Sequence, residues 1–388
     1  MIAANISAEQ IIGMSGQGFV VGMAIATYEL TAAIALIVMA KYFLPLFLKK
    51  QIYTMPQFLE QRFDKRVSLV LAFFWLAVYV FINLTSVLWL GSLAINTLTG
   101  LETFYGLVLL ALLSLAYSLW GGLKAVALTD IIQVVLLIFG GLAVSFIALQ
   151  KIGDGYIGNG LITVFQAVPD KFDMILSEDN PSYSDLPGVW VLLGGLWIAH
   201  FAYWGFNQYI TQRALGAKSL PEAQKGVMFA AYLKLLMPLV IVLPGICAAV
   251  LFPVLEKSDQ AYPTMMTLLP NGLLGLTFAA LVAAIVSSLA SMTNSISTIF
   301  TMDVYRSFRA NSSDATLVSI GRTTSVIALI IAVFAATPLL GSLESAFQYI
   351  QNFTGFFTPG ILVIFLVALF WRKATTLSVL GAAFTSLL

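Results

Sequence analysis

Apolar residues in this chain gather into long, nearly unbroken stretches, without the strict alternation of a sheet or the narrow stripe of a water-soluble helix. The stretches cover 2–17, 19–47, 67–97, 103–120, 124–150, 187–212, 226–253, 271–304, 316–338 and 343–371, with a further partial one over 375–388. A helix of about 20 apolar residues crosses a hydrocarbon core of roughly 30 Å. The pattern therefore predicts an all-α polytopic membrane protein. The first stretch is short and contains glycine and several small polar residues (AANISAEQ), which predicts a broken helix with backbone carbonyls left free. The segment PQFLEQRF at 56–63 reads either as a short helix on the inner surface or as a polar turn.

Composition agrees with the pattern. Hydrophobic residues make up 60% of the 388 and charged residues 10%, where soluble domains carry roughly 25% charge. The net charge of +1 points to no nucleic-acid partner, and the single Cys247 excludes an internal disulfide or a cysteine-based metal site. The opening IAANISAEQ carries no basic leader, and the terminal LSVLGAAFTSLL stops inside an apolar stretch. Both ends are expected to be cut from a longer chain. Nothing in the sequence sets an oligomeric state.

Charge in the loops gives an orientation. With loop 48–66 in the cytoplasm, the inner ends hold fourteen Lys and Arg residues, Lys124 among them, and the outer ends hold only Lys151, Lys171 and Lys257. Such a bias is expected of inner-facing loops. The outer loop 152–186 is acidic.

Three ionisable side chains interrupt the apolar stretches: Glu29, His200 and Lys234. A charge near the bilayer midplane costs several kcal/mol and marks a wet cavity, a partner or a transport path. On this orientation Glu29, His200, Lys234, the pair Ser287–Ser288 and Gln351 share one depth, which predicts a central polar site. Glu29 and Lys234 form either an internal salt bridge or, with the amides of Gln10 and Gln351, a set of donors and acceptors for an uncharged polyhydroxy solute. Tyr203–Trp204 serve either as packing or as an aromatic face for a sugar ring. His200 is a satisfied interior histidine, a substrate contact or a proton carrier. The serine-rich stretch 279–300 suits close helix packing, but the adjacent hydroxyls of Ser287 and Ser288, with free carbonyls nearby, suit a weakly bound monovalent cation. Asp130 is an ordinary helix-end carboxylate or a group that attracts a departing cation. No hydrolytic constellation is evident, so an enzyme is not expected.

The stretches AANISAEQIIGMSGQGF, ATYELTAA, NLTSVLWLG, YSLWGGLKAVALTDIIQV, YWGFNQYITQR, AALVAAIVSSLASMTNS, FTMDVYR and AFQYIQNFTGFFTPGIL resemble the solute:sodium symporters, and among them bacterial sodium/glucose–galactose symporters. The resemblance runs through nearly the whole chain. It implies the fold shared with LeuT, with two inverted five-helix repeats at 1–151 and 187–371, each opened by a broken helix, an extracellular loop at 152–186 and a further helix starting in 372–388. It also implies a sugar site at Gln10, Glu29, Lys234 and Gln351, with His200 at a sugar-contact position. The inner gate would be Tyr203, steadied by Asn5, and the outer gate Met14, Tyr28 and Phe347. Sodium would lie on the carbonyls of Ala3, Ile6 and Ala284 and the hydroxyls of Ser287 and Ser288, with Asp130 helping it leave. The chain departs from galactose-transporting relatives at His200, where they carry asparagine, and at Ala32, where they carry serine, so the sugar is left open. The expected function is sodium-coupled symport of a monosaccharide across the inner cell membrane. The alternatives are symport of myo-inositol, a sialic acid or an amino acid, and a non-transporting sensor of the same fold.

Overall fold

A computed structural model describes residues 2–52, 54–186 and 188–385. Of the positions singled out above, Met1, Pro187 and 386–388, and the side chains of Ala3 and Lys124, lie outside the described residues. Every regular element among the described residues is helical. In chain order they are α1 (Ile2–Asn5), α2 (Met14–Val20, led by a widened π turn over Glu9–Gly13), α3 (Met23–Lys49), α4 (Met55–Arg62), α5 (Lys65–Thr99), α6 (Thr103–Ile152), α7 (Ile157–Ala167), α8 (Gly188–Phe206), α9 (Gln208–Leu215), α10 (Leu220–Leu251), α11 (Ala261–Met266), α12 (Asn271–Phe308), α13 (Asp314–Leu340), α14 (Ala346–Phe370) and α15 (Thr376–Thr385). Among the described residues, eight helices are long and apolar enough to cross a membrane by length and composition. Large apolar side chains such as Ile131, Ile132, Phe334 and Phe356 stay exposed on the outside of the bundle, where lipid tails rather than water satisfy them.

Within α6 the chain between 103 and 150 forms two apolar helices, Thr103–Leu119 and Thr129–Ile152, as the separate stretches 103–120 and 124–150 predict. The chain runs out along the first and back along the second. Leu110 reaches the level of Ile285, both meeting Gly91, and Ser118 donates to Asn294 Oδ1 at 2.6 Å. Asp130 then lies at Ser287 and Gly140 at Thr277. Neighbours on α12 thus ascend and then descend, so the chain reverses between Ser118 and Asp130. Tyr117 and Thr129 accordingly touch through their hydroxyls, although twelve residues of straight helix would hold them about 18 Å apart.

Two helices are interrupted within the bundle. The first breaks at Ile6–Ser7, between α1 and the π turn, as expected. The second breaks at Asn207, whose extended backbone (φ −81°, ψ 122°) separates α8 from α9; the apolar run 187–212 had predicted one continuous helix. Asn207 is fixed from α5: Tyr79 Oη donates to Asn207 Oδ1 at 2.9 Å and accepts from the Gln208 N–H at 2.9 Å. Of the two readings for 56–63, the helix holds: Met55–Arg62 is a short helix packed into the bundle. Thr54 caps it by accepting from the Gln57 N–H, and Phe58 is buried, stacked on Phe365 with ring centroids 6.0 Å apart.

α2 crosses the outer part of α10 at very close range. A Cβ on Gly245 would sit 2.1 Å from the Ser15 carbonyl oxygen, so only glycine lets the two backbones meet. α2 ends at Gly22, whose φ of +87° turns the chain into α3. The basic ends gather at one pole, where Arg62 donates to the carbonyls of Ala368, Trp371 and Arg372 and Lys65 to that of Ser307.

Candidate functional site

α3 packs against α8 and α10, and α8 against α14. Their polar positions converge with the interrupted first helix on one cavity enclosing about 990 Å³ of non-atom space, its open mouth included. Gln10, Glu29, His200, Tyr203, Lys234 and Gln351 all line it, as do Asn5, Met14, Tyr28, Phe347 and Ala32. The common depth inferred from the orientation is therefore a common cavity.

Glu29 and Lys234 face each other across the α3–α10 contact. Lys234 Nζ lies 2.8 and 2.7 Å from the two carboxylate oxygens, and both side chains are all but fully buried. The ammonium also sits 5.2 Å from the Trp204 ring centre, where the ring's negative face favours a cation. The internal salt bridge and the cavity lining are thus the same pair of residues. His200 Nε2 is 2.8 Å from Thr31 Oγ1, and Thr31 donates back to the Thr27 carbonyl at 2.6 Å. The imidazole meets Tyr28 edge-on at 6.1 Å, and Tyr28 meets Phe347 in the same way at 6.1 Å. The interior-histidine arrangement and exposure to the cavity therefore coexist.

On the other side of the cavity Asn5 Nδ2 donates to Tyr203 Oη at 3.1 Å, and Tyr203 and Tyr209 share a hydrogen bond of 2.8 Å between their hydroxyls. This chain bridges both helix interruptions, from α1 through α8 to α9.

α1 packs on α12 and on α6. There the buried Ser288 hydroxyl has no hydrogen-bond partner among the described residues. Ser287 Oγ donates to Asp130 Oδ1 at 2.6 Å, which leaves its lone pairs free to accept. Asp130 is paired with Arg213 at 2.9 Å, and Arg213 also donates to Ser291 Oγ at 2.7 Å. Asp130 is therefore not a free carboxylate but the middle of a network joining α6, α9 and α12. An orphaned hydroxyl beside a hydroxyl with spare lone pairs, next to an interrupted helix, is a donor set that fits a monovalent cation.

Sequence reasoning missed several residues of this region. Glu9 and Asn83 line the cavity, Thr31 holds His200, and Tyr79 and Asn207 set the second break. Glu9 had a signal, being an ionisable residue within an apolar stretch; Thr31 and Asn83 had none. At the outer pole, Lys257 donates to the carbonyls of Gly341 and Leu343. Asp259 accepts from the Ala346 N–H at 2.7 Å and from Ser345 Oγ at 3.4 Å. Gln17 reaches Ser345 Oγ at 3.1 Å, tying α2 to the start of α14. Burial lifts the Asp259 carboxyl to about 7, against the opposing pull of the Ala346 N–H, Ser345 and Lys257.

Residues 1–386 match the sodium:solute symporter family. The chain is 52% identical to a sodium/glucose cotransporter of Vibrio parahaemolyticus over 97% of its length, spanning 73% of that protein. It is 34% identical to an uncharacterized symporter of Escherichia coli, spanning 67% of it, and 32% identical to mouse sodium/myo-inositol cotransporter 2, spanning 60% of it, with 97% and 96% of this chain covered. Among solved structures it is similar to a substrate-bound, outward-open Na+-coupled sialic acid symporter, with a TM-score of 0.82 at 22% identity, covering 98% of this chain and 79% of that one. It is also similar to MhsT in complex with L-phenylalanine, with a TM-score of 0.56 at 14% identity, covering 99% and 94%. The fold is accordingly the LeuT-like arrangement of inverted repeats with broken first helices. The chain belongs to the sodium:solute symporter family: it is a multi-pass membrane transporter whose coupled ion is sodium.

Proposed function

We propose that this symporter couples sodium entry to uptake of a glucose- or galactose-like monosaccharide across the inner cell membrane. The observation that carries the reading is the convergence of Gln10, Glu29, His200, Tyr203, Lys234 and Gln351 on one cavity. Amides, a carboxylate and an ammonium supply both donors and acceptors, as several hydroxyls on one ring require. The likeness to the Vibrio sodium/glucose cotransporter supports the same choice.

In this reading residues 1–151 and 187–371 are the two inverted repeats. Tyr203 stacks on the sugar from within and is steadied by Asn5; Met14, Tyr28 and Phe347 close over it from outside. Sodium binds the carbonyls of Ala3, Ile6 and Ala284 and the hydroxyls of Ser287 and Ser288, and so ties α1 to α12. With sodium in place the outward-open state is favoured, and sugar then closes the outer gate. Inward opening parts α1 from α12, loosens sodium and frees Tyr203, while Asp130 receives the departing ion by exchanging its hold on Arg213. Coupling arises because both ligands favour the same conformer.

A second reading is symport of a cyclic polyol such as myo-inositol. It is supported by the relatives named for myo-inositol, and His200 and Ala32, where the chain departs from galactose-transporting relatives, line the cavity. The test is uptake of radiolabelled galactose, glucose, myo-inositol, a sialic acid and an amino acid into proteoliposomes, with and without a sodium gradient. The proposal expects a hexose to accumulate only with the gradient. Accumulation of myo-inositol alone would shift the reading to the second one. Sodium binding with no accumulation of any solute would overturn both in favour of a sensor.

A further inference from the structure

Four buried side-chain oxygens lining the central cavity have no hydrogen-bond partner among the described residues: Asn5 Oδ1, Glu9 Oε1, Gln10 Oε1 and Asn83 Oδ1. Gln10 already belongs to the proposed sugar site. The other three residues, Asn5, Glu9 and Asn83, line the same cavity. Glu9 is only 6% exposed, and none of the ion pairs among the described residues includes it. Lys234 and Arg213, the cations buried in this part of the bundle, are engaged by Glu29 and Asp130. The Asn83 side chain hydrogen-bonds the Glu9 carboxylate, while Asn5 gives its N–H to Tyr203. Each amide thus places its donor on a neighbour and keeps its carbonyl oxygen free. Glu9 and Asn83 both stand on widened π turns, Glu9–Gly13 and Tyr79–Leu84, a backbone device that recurs at functional sites.

An uncompensated carboxylate in such surroundings is strongly destabilising, and free amide oxygens beside it offer nothing to an anion. One carboxylate with neutral oxygens matches a monovalent cation; a divalent ion calls for more charge and more ligands. Ser287 and Ser288 do not line this cavity, so the set is separate from the donors described on α12. We infer that Asn5, Glu9 and Asn83 form a second sodium site, on the solute side of the cavity. The inference rests on the proposed function only for its mechanistic consequence: an ion on Asn5 Oδ1 would fix the amide that holds Tyr203, linking this ion to the inner gate.

The test is equilibrium binding of radioactive sodium to the purified protein, with no solute present. Wild type is expected to bind about two ions, and Glu9→Gln about one, because the variant keeps the shape and removes the charge the ion needs. Asn83→Ala, which retains the carboxylate, is expected to weaken the same ion about tenfold and provides the answer if Glu9→Gln does not fold. Ser288→Ala combined with Glu9→Gln should bind neither ion tightly. The inference is overturned if wild type binds a single ion, or if Glu9→Gln binds as many as wild type. It is equally overturned if Glu9→Gln changes only the pH dependence of uptake, since Glu9 would then carry a proton. Because no sugar enters the assay, failure of the monosaccharide reading leaves this ion count unaffected.

Discussion

Breaking the Glu29–Lys234 pair from one side should damage the protein more than removing it altogether. At 2.7 Å and an effective dielectric of about 20, the gross attraction is about 6 kcal/mol. Withdrawing two ions from water costs several kcal/mol each, so the net worth of the intact pair is small. Lys234→Met leaves Glu29 charged and buried without a partner, at a cost of about 3–5 kcal/mol, and it also loses the cation–π contact with Trp204. In Glu29→Gln/Lys234→Met no charge remains, and most of that loss should be recovered. Thermal melting of the four proteins of this cycle, in one detergent and with sodium held constant, measures the ordering. Wild type and the double variant should melt close together, with Lys234→Met well below both. Solute binding should fail in all three variants, because the cavity loses its carboxylate, its ammonium or both. A Lys234→Met protein that melts like wild type would refute the reasoning. So would a double variant whose loss equals the sum of the two single losses.

Asp259 gives a pH prediction. The folded protein holds its proton up to about 7, whereas the unfolded chain releases it near 3.8. The stability linked to this group is therefore full below pH 3.8 and lost as pH rises to 7, about 4 kcal/mol over the window. Melting between pH 4 and 8 should fall more steeply for wild type than for Asp259→Asn, which does not titrate; parallel curves would refute it. Gly245→Ala forces a carbon against the Ser15 carbonyl and should cost about 1–3 kcal/mol, visible as a lower melting temperature. Tyr203→Phe removes the hydroxyl that joins Asn5 to Tyr209 and leaves the ring. Efflux of preloaded sugar from proteoliposomes should accelerate while stability falls by about 1–2 kcal/mol; unchanged efflux would remove Tyr203 from the gate.

The spanning helices were legible because hydrocarbon demands long apolar runs, and Glu29, His200 and Lys234 stood out because charge is costly there. The first break was readable from AANISAEQ, where small polar residues replace apolar ones. The second was not: FNQY lies inside an apolar run, and the extended backbone of Asn207 is imposed by Tyr79, distant in sequence. Partnering was hidden in the same way. Asp130 could be seen as a membrane carboxylate, but its ties to Arg213 and Ser287 come from three helices meeting. Glu9 passed unnoticed beside Gln10 because its significance lies in lacking a counter-ion, a property of the packed bundle.

The central claim is that sodium near Ser287–Ser288 and a sugar in the cavity favour one conformer. Thermodynamic linkage then requires each to tighten the other by the same factor. The most direct measurement is galactose and glucose affinity across a sodium titration, in wild type and Ser288→Ala. Wild type should bind its sugar about tenfold or more tightly with saturating sodium, and Ser288→Ala should need far more sodium to reach that state. Sugar affinity indifferent to sodium, or a Ser288→Ala protein with the wild-type sodium requirement, would contradict the account.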